Sequence, residues 1–100
     1  MPPRGRIKLP SDLVALIRSL HPEIKQKIRA ALDLILAEPA SGKPLQKELA
    51  GYRSFRVGRL RIVYRETSDA IIEVVAIGRR ETIYLETALL VRRAGRGRSG

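Results

Sequence analysis

Arginine dominates the chemistry available to this chain. The stretch FRVGRLRIVYR, Phe55 to Arg65, holds four arginines in eleven residues and no acidic side chain. Arg79 and Arg80 follow as a pair, and Tyr84 stands four residues after Arg80. A guanidinium group is planar, stays protonated at any ordinary pH, and presents a fork of donors that matches two phosphate oxygens at once. It is suited to stabilising negative charge on phosphorus and unsuited to accepting a proton. One reaction asks for little more: RNA cleavage in which the substrate's own 2′-hydroxyl attacks the adjacent phosphate. There the enzyme bends the backbone into line and holds the charge, and positioning supplies much of the rate.

Other chemistries have little to stand on. His21 is the single histidine and precedes Pro22, a place that suits capping or exposure better than catalysis. There is no cysteine, hence no thiolate nucleophile and no thiolate metal ligand. Asp12, Asp33, Glu38 and Glu48 are scattered without the spacing of a carboxylate cluster, so no metal and no cofactor is expected. The phosphate-cradling GxxxxGK[ST], the dinucleotide GxGxxG and the nucleophile elbow GxSxG do not occur.

The charge balance sharpens the same question. Twenty Lys and Arg oppose ten Asp and Glu, giving +10, and fifteen of the twenty cations are arginine. Such a field attracts nucleic acid, an anionic membrane surface or an acidic protein, and arginine favours the first and third. The opening MPPRGRIKLPSD lacks the apolar core of a signal peptide, and no apolar run approaches the roughly 18 residues of a membrane span. A cytoplasmic protein without a membrane partner is the expectation.

One hundred residues support a single core. Ile7 to Leu9 suits a short edge strand stopped by Pro10, with Ser11 as an N-cap. Leu13, Leu16, Ile17 and Leu20 recur at helical spacing, and Pro22 fits the first turn of a second helix. Ile24, Ile28, Ala31, Leu32 and Ile35 form that helix's apolar stripe, closed by Pro39. Glu38 to Gly51 reads as a loop with one helical turn, pinned by Leu45 and Leu49. The period then changes to two: Tyr52–Val57, Leu60–Glu66 and Ile71–Ile77 predict three strands, the last apolar on both faces and therefore central. A final helix over about Glu81 to Arg92 precedes the tail RRAGRGRSG. The expected fold is α+β: an N-terminal helical hairpin packed on a small, mostly antiparallel sheet, with a C-terminal helix. The expected domain spans 1–92, and 93–100 is a basic flexible tail.

A two-residue turn at Gly58-Arg59 sets the hairpin register. Val57 then faces Leu60, Arg56 faces Arg61, Phe55 faces Ile62 and Ser54 faces Val63. Phe55, Val57, Leu60, Ile62 and Tyr64 point toward the helices, while Tyr52, Ser54, Arg56, Arg61 and Arg65 line the opposite surface. Arg56 across from Arg61 is a like-charge pair that costs some tenths to about 1 kcal/mol. For any single arginine, a stem lying over apolar surface with its head in water is explanation enough. For the cluster, joined by Arg79 and Arg80 from the end of the adjacent strand, a phosphate cradle open to RNA is the stronger reading. Tyr84 is equally readable as a half-buried core tyrosine or as a ring that stacks on an unpaired base.

The hairpin motif R-V-G-x-x-R-[IV]-x-Y, Arg56 to Tyr64, and the segment I-G-[HKR]-R-[ED]-x-[IV]-Y, Ile77 to Tyr84, resemble the RelE/ParE toxin superfamily of toxin-antitoxin systems. The likeness spans roughly residues 7 to 92. In the RelE branch it implies a ribosome-dependent endoribonuclease that cuts messenger RNA, neutralised by a cognate antitoxin in a hetero-oligomer. Carried over by position, Arg61 orients and stabilises the scissile phosphate, Arg80 stabilises charge or assists the leaving oxygen, and Tyr84 stacks on or holds the substrate. Arg56 joins the phosphate cradle, and Arg53, Ser54, Arg59, Arg65 and Arg79 complete the expected RNA contacts. The departure is that Tyr52 to Glu66 contains no lysine, where RelE toxins carry candidates for proton transfer. The ParE branch implies instead a non-nuclease toxin that inhibits DNA gyrase, and charge alone is compatible with a non-toxic RNA- or ribosome-binding module.

Overall fold

The computed structural model describes residues 6–67, 70–79, 83–84 and 87–92. A five-stranded sheet runs in the order β1-β5-β4-β3-β2. Its strands are β1 (Arg6–Lys8), β2 (Lys43–Pro44), β3 (Arg53–Val57), β4 (Leu60–Glu66) and β5 (Ile71–Arg79). All neighbours pair antiparallel except β1 with β5, which are parallel. The α+β class and the mostly antiparallel sheet are as the periodicity predicts. β5 lies inside the sheet, but the middle strand is β4.

The helical hairpin is α1 (Ser11–Ser19) and α2 (Pro22–Ala37). Ser11 is the first helical residue and not the cap, because the carbonyl of Pro10 accepts the N–H groups of Leu13 and Val14, each at 3.0 Å. His21 does cap α2: its Nδ1 accepts the Glu23 N–H at 3.4 Å, and Pro22 occupies the first turn, where a missing donor costs nothing. Ile28, Ala31, Leu32 and Ile35 are buried, but Ile24, at the start of the stripe beside the hairpin corner, is exposed. Against these helices pack Ile62, Tyr64, Ile72, Val74 and Ile77, with Phe55, Val57 and Leu60 at the margin. Among the described residues no helix is long and apolar enough to cross a membrane.

The segment from Glu38 to Gly51 holds more structure than a loop with one turn. It has two short 3-10 turns, Pro39–Ser41 and Lys47–Leu49, and β2 pairs with the start of β3. Tyr64 fixes it. This fully buried tyrosine donates its hydroxyl to the Pro39 carbonyl at 2.7 Å and accepts the Gly42 N–H at 2.9 Å. The chain passes so close that a Cβ at Gly42 would lie 2.5 Å from the hydroxyl oxygen. Arg53 adds to the same latch, its Nη1 donating to the carbonyls of Gly42 at 2.8 Å and Ala40 at 3.3 Å.

The register at Gly58-Arg59 is the one the sequence dictates: Val57 faces Leu60, Arg56 faces Arg61 and Ser54 faces Val63. Gly58 takes φ of 60° while Arg59 stays at negative φ, the pattern of a type II′ turn. Further along, β4 and β5 slip by one residue. Val63 pairs with Ala76 but Tyr64 with Val74, which leaves Val75 as a bulge. The extra residue lets Val75 and Ala76 both face away from the hairpin while Val74 and Ile77 both face it.

That second face is not open from end to end. Val63 and Ala76 pack with Ile83 in a smaller cluster that Leu45, Tyr52, Val75 and Tyr84 flank. Residues 83–84 and 87–92 are helical, and Thr87 Oγ1 donates back to the Ile83 carbonyl at 2.7 Å. Apolar Val63 and Ala76 on the outer face need cover, and the C-terminal segment supplies it. At its far end Arg92 meets Glu48 at 2.8 Å, an exposed pair of little energetic weight.

Candidate functional site

Four of the expected residues converge on the second face. Arg56 and Arg61 stand directly opposite each other on β3 and β4. Arg56 is exposed, with its Nε donating to the Gly58 carbonyl at 3.3 Å, and Arg61 is half-buried. Ser54 lies two residues before Arg56 on the same face, diagonal to Arg61 at about 7–8 Å between backbones. Its hydroxyl shares a hydrogen bond of 3.1 Å with that of Tyr84. Two guanidinium groups and an anchored phenol thus border one patch. The ion pairs among the described residues are Arg65 with Glu73 and Arg92 with Glu48, so neither Arg56 nor Arg61 meets a carboxylate there.

The remaining expected residues are placed otherwise. Arg53 alternates onto the hairpin side, opposite Tyr64, and holds the Ala40 and Gly42 carbonyls. Arg79 pairs with Leu60, so the bulge turns its base toward the hairpin side at the end of β5, and the idea that it joins the Arg56–Arg61 surface is corrected. Arg59 is exposed in the turn. Arg65 shares Arg61's face but lies four residues on, about 13 Å along the strand. It is already engaged, its Nε 2.9 Å from Glu73 Oε1 and its guanidinium 5.4 Å from the centre of the Tyr52 ring. Ser54 is 4% exposed, so in this conformation its hydroxyl meets Tyr84 and not solvent. Arg80 lies outside the described residues.

Two features escaped sequence reasoning. Gly78 sits opposite Arg61 on β5, and a Cβ there would come within 3.1 Å of Ile83 Cδ1, so the glycine lets the C-terminal segment settle onto the sheet. Beyond the C-terminal segment, a cavity of about 260 Å³ opens between Tyr52, the Arg65–Glu73 pair, Val75, Leu90 and Val91. The glycine was visible in the Ile77-Gly78 motif; the cavity has no sequence signal, because it depends on where the last helix lies. No group of three or more His, Asp or Glu able to hold a metal ion occurs among the described residues.

The sequence model for the ParE toxin of type II toxin-antitoxin systems, parDE, matches residues 10–84, which include the whole arginine hairpin. The chain belongs to this toxin family. Among solved structures, the RelBE2 toxin-antitoxin complex of Mycobacterium tuberculosis is similar at 28% identity and a TM-score of 0.63, covering 80% of this chain and 100% of that one. The archaeal RelE-RelB complex of Pyrococcus horikoshii shares the fold at 20% identity and a TM-score of 0.64, covering 77% and 96%. So does a free mutant form of Escherichia coli toxin RelE, at 14% identity and a TM-score of 0.67, covering 92% and 98%. No curated protein matches the sequence. The RelE/ParE superfamily and its toxin role are therefore the frame in which the arginine face is to be understood.

Proposed function

We propose that this toxin acts as a ribosome-dependent endoribonuclease of the RelE kind, cutting messenger RNA in the cytoplasm without a metal or other cofactor. The observation that carries the reading is Arg56 facing Arg61 beside Tyr84, a like-charge pair with no carboxylate partner among the described residues. Such a pair costs the fold up to about 1 kcal/mol, and a phosphate seated between the two groups reverses the sign. Arg61 is the group that stabilises charge as the 2′-hydroxyl attacks, and Arg56 orients the same phosphate. Arg80 is assigned the leaving-oxygen side by motif position. The absent lysines leave proton removal to the ribosome, to water or to the substrate itself.

An acidic antitoxin is the stable partner in this reading; the Mycobacterium structure is a toxin-antitoxin complex and the Pyrococcus one a RelE-RelB complex. Its docking place on the hairpin has the right chemistry. A cavity of about 430 Å³ has a floor of Leu9, Val14, Ile17 and Leu32 and a rim of Arg18, Lys25 and Arg29, which suits an amphipathic segment with acidic flanks. The basic residues 93–100 add general RNA affinity, so deleting them flattens the salt dependence of binding more than it moves cut sites.

The test is a cell-free translation reaction with messenger RNA ends mapped by primer extension, run with and without ribosomes. Cuts that require ribosomes support the nuclease. A second reading follows from the family match itself: a ParE-like toxin that inhibits DNA gyrase without cutting RNA. Folded, growth-arresting protein that leaves RNA intact but blocks supercoiling would establish it in place of the first.

A further inference from the structure

Ser54 carries a hydroxyl that lies buried in the arginine face, and nothing in the cleavage scheme so far uses it. At 4% exposure it cannot reach a phosphate, and its partner among the described residues is the Tyr84 hydroxyl at 3.1 Å. The neighbouring residue is held as well: Ile83 is fully buried on Val63 and sits against the open backbone of Gly78, across from Arg61. Two consecutive residues, Ile83 and Tyr84, are therefore anchored to the sheet, one by packing and one by a hydrogen bond. With its hydroxyl engaged by Ser54, half-buried Tyr84 still has ring surface to offer a ligand.

We propose that Ser54 is a positioning residue that acts solely through Tyr84, fixing the phenol so that its ring face, not its hydroxyl, is what meets an RNA base beside Arg61. This deepens the nuclease reading and rests on it for the identity of the ligand. Stacking on a held ring stabilises binding more than it speeds the chemical step, because the ring face neither donates nor accepts the protons in transit. The hydrogen bond's value lies in orienting the ring before the base arrives.

The consequence is a specific pattern in a double-mutant cycle of full-length protein on programmed ribosomes. Ser54→Ala and Tyr84→Phe should each raise the half-saturating concentration of the ribosome–messenger complex by roughly three- to tenfold, the scale of one hydrogen bond. The limiting cleavage rate should stay within about twofold, and the double variant should be no worse than either single one, since both remove the same bond. Tyr84→Ala, which removes the ring, should exceed them all. Additive losses, or a Tyr84→Phe enzyme whose limiting rate collapses while Ser54→Ala keeps its own, would overturn the proposal by showing that the hydroxyl itself does chemistry.

A second measurement separates this from failure of the nuclease reading. The chain has three tyrosines, so fluorotyrosine-labelled free protein gives three fluorine resonances, with Tyr84 identified by its loss in Tyr84→Phe. Ser54→Ala should shift or broaden that line and leave those of Tyr52 and Tyr64 in place. An unmoved Tyr84 line overturns the hold of Ser54 whether or not RNA is cut. Absence of cleavage by unaltered protein, with the line moving as expected, overturns the nuclease reading alone.

Discussion

On the hairpin side of the sheet, Ile62, Tyr64, Ile72 and Val74 are each fully buried, and the strands there behave as an aliphatic wall. On the other side the same strands present Arg56, Arg61 and Arg65 around a small cluster of Val63, Ala76 and Ile83. The difference lies in what each side chain is for. The aliphatic residues of the first face gain from leaving water, whereas Arg56 and Arg61 lose by standing opposite each other. The sheet tolerates that because the larger core lies on one face and the smaller cluster on the other leaves the arginine patch available for ligand.

Substitutions on the two faces should therefore fail in different ways. Ile62→Ala, a deletion in the main core, should cost about 2–5 kcal/mol and lower the melting temperature sharply, with activity lost only as folded protein is lost. A variant of normal stability would show that the hairpin side is not the main support. Next comes the latch. Tyr64→Phe leaves the Gly42 N–H and the Pro39 carbonyl without their partner and should cost about 1–3 kcal/mol by denaturant titration. Gly42→Ala should be at least as damaging, since the added methyl meets the Tyr64 hydroxyl.

Smaller effects sharpen the contrast from the other side. Arg56→Ala should leave stability unchanged or raise it by up to about 1 kcal/mol, by relieving the pair with Arg61, while weakening RNA cleavage. Any marked loss of stability would mean that Arg56 has a structural partner after all. Glu73→Gln, which breaks the partly exposed pair with Arg65, should change stability by no more than about 1 kcal/mol. It frees Arg65 on the ligand face, so RNA affinity at low salt should rise slightly.

The legible parts of this molecule are those with a local rule behind them. Gly58 forces the turn, the turn fixes the register, and period-two alternation then places Phe55, Ile62 and Tyr64 on one face and Arg56 and Arg61 on the other. Arg53 could have been separated from Arg56 by the same alternation. The sequence puts Arg79 on the wrong face, because Val74 to Ile77 is apolar on both faces and gives no hint of the bulge at Val75 that resets the parity. The two-residue β2 was hidden by its own Pro44, which reads as loop. The cover over Val63 was missed because it comes from a segment twenty residues later, Ile83 and Tyr84, whose apolar members look equally at home in any amphipathic helix.

The most direct measurement pairs two readouts on two proteins, wild type and Arg61→Ala: thermal melting of each, and ribosome-dependent cleavage of a defined messenger RNA. If the second face is the working one, Arg61→Ala will melt at the wild-type temperature or slightly above it while cleavage falls by about 10²–10³-fold, the usual effect of removing one donor to developing charge. Equal cleavage by both proteins, or a loss of cleavage matched by a loss of fold, would contradict the assignment of this face to chemistry.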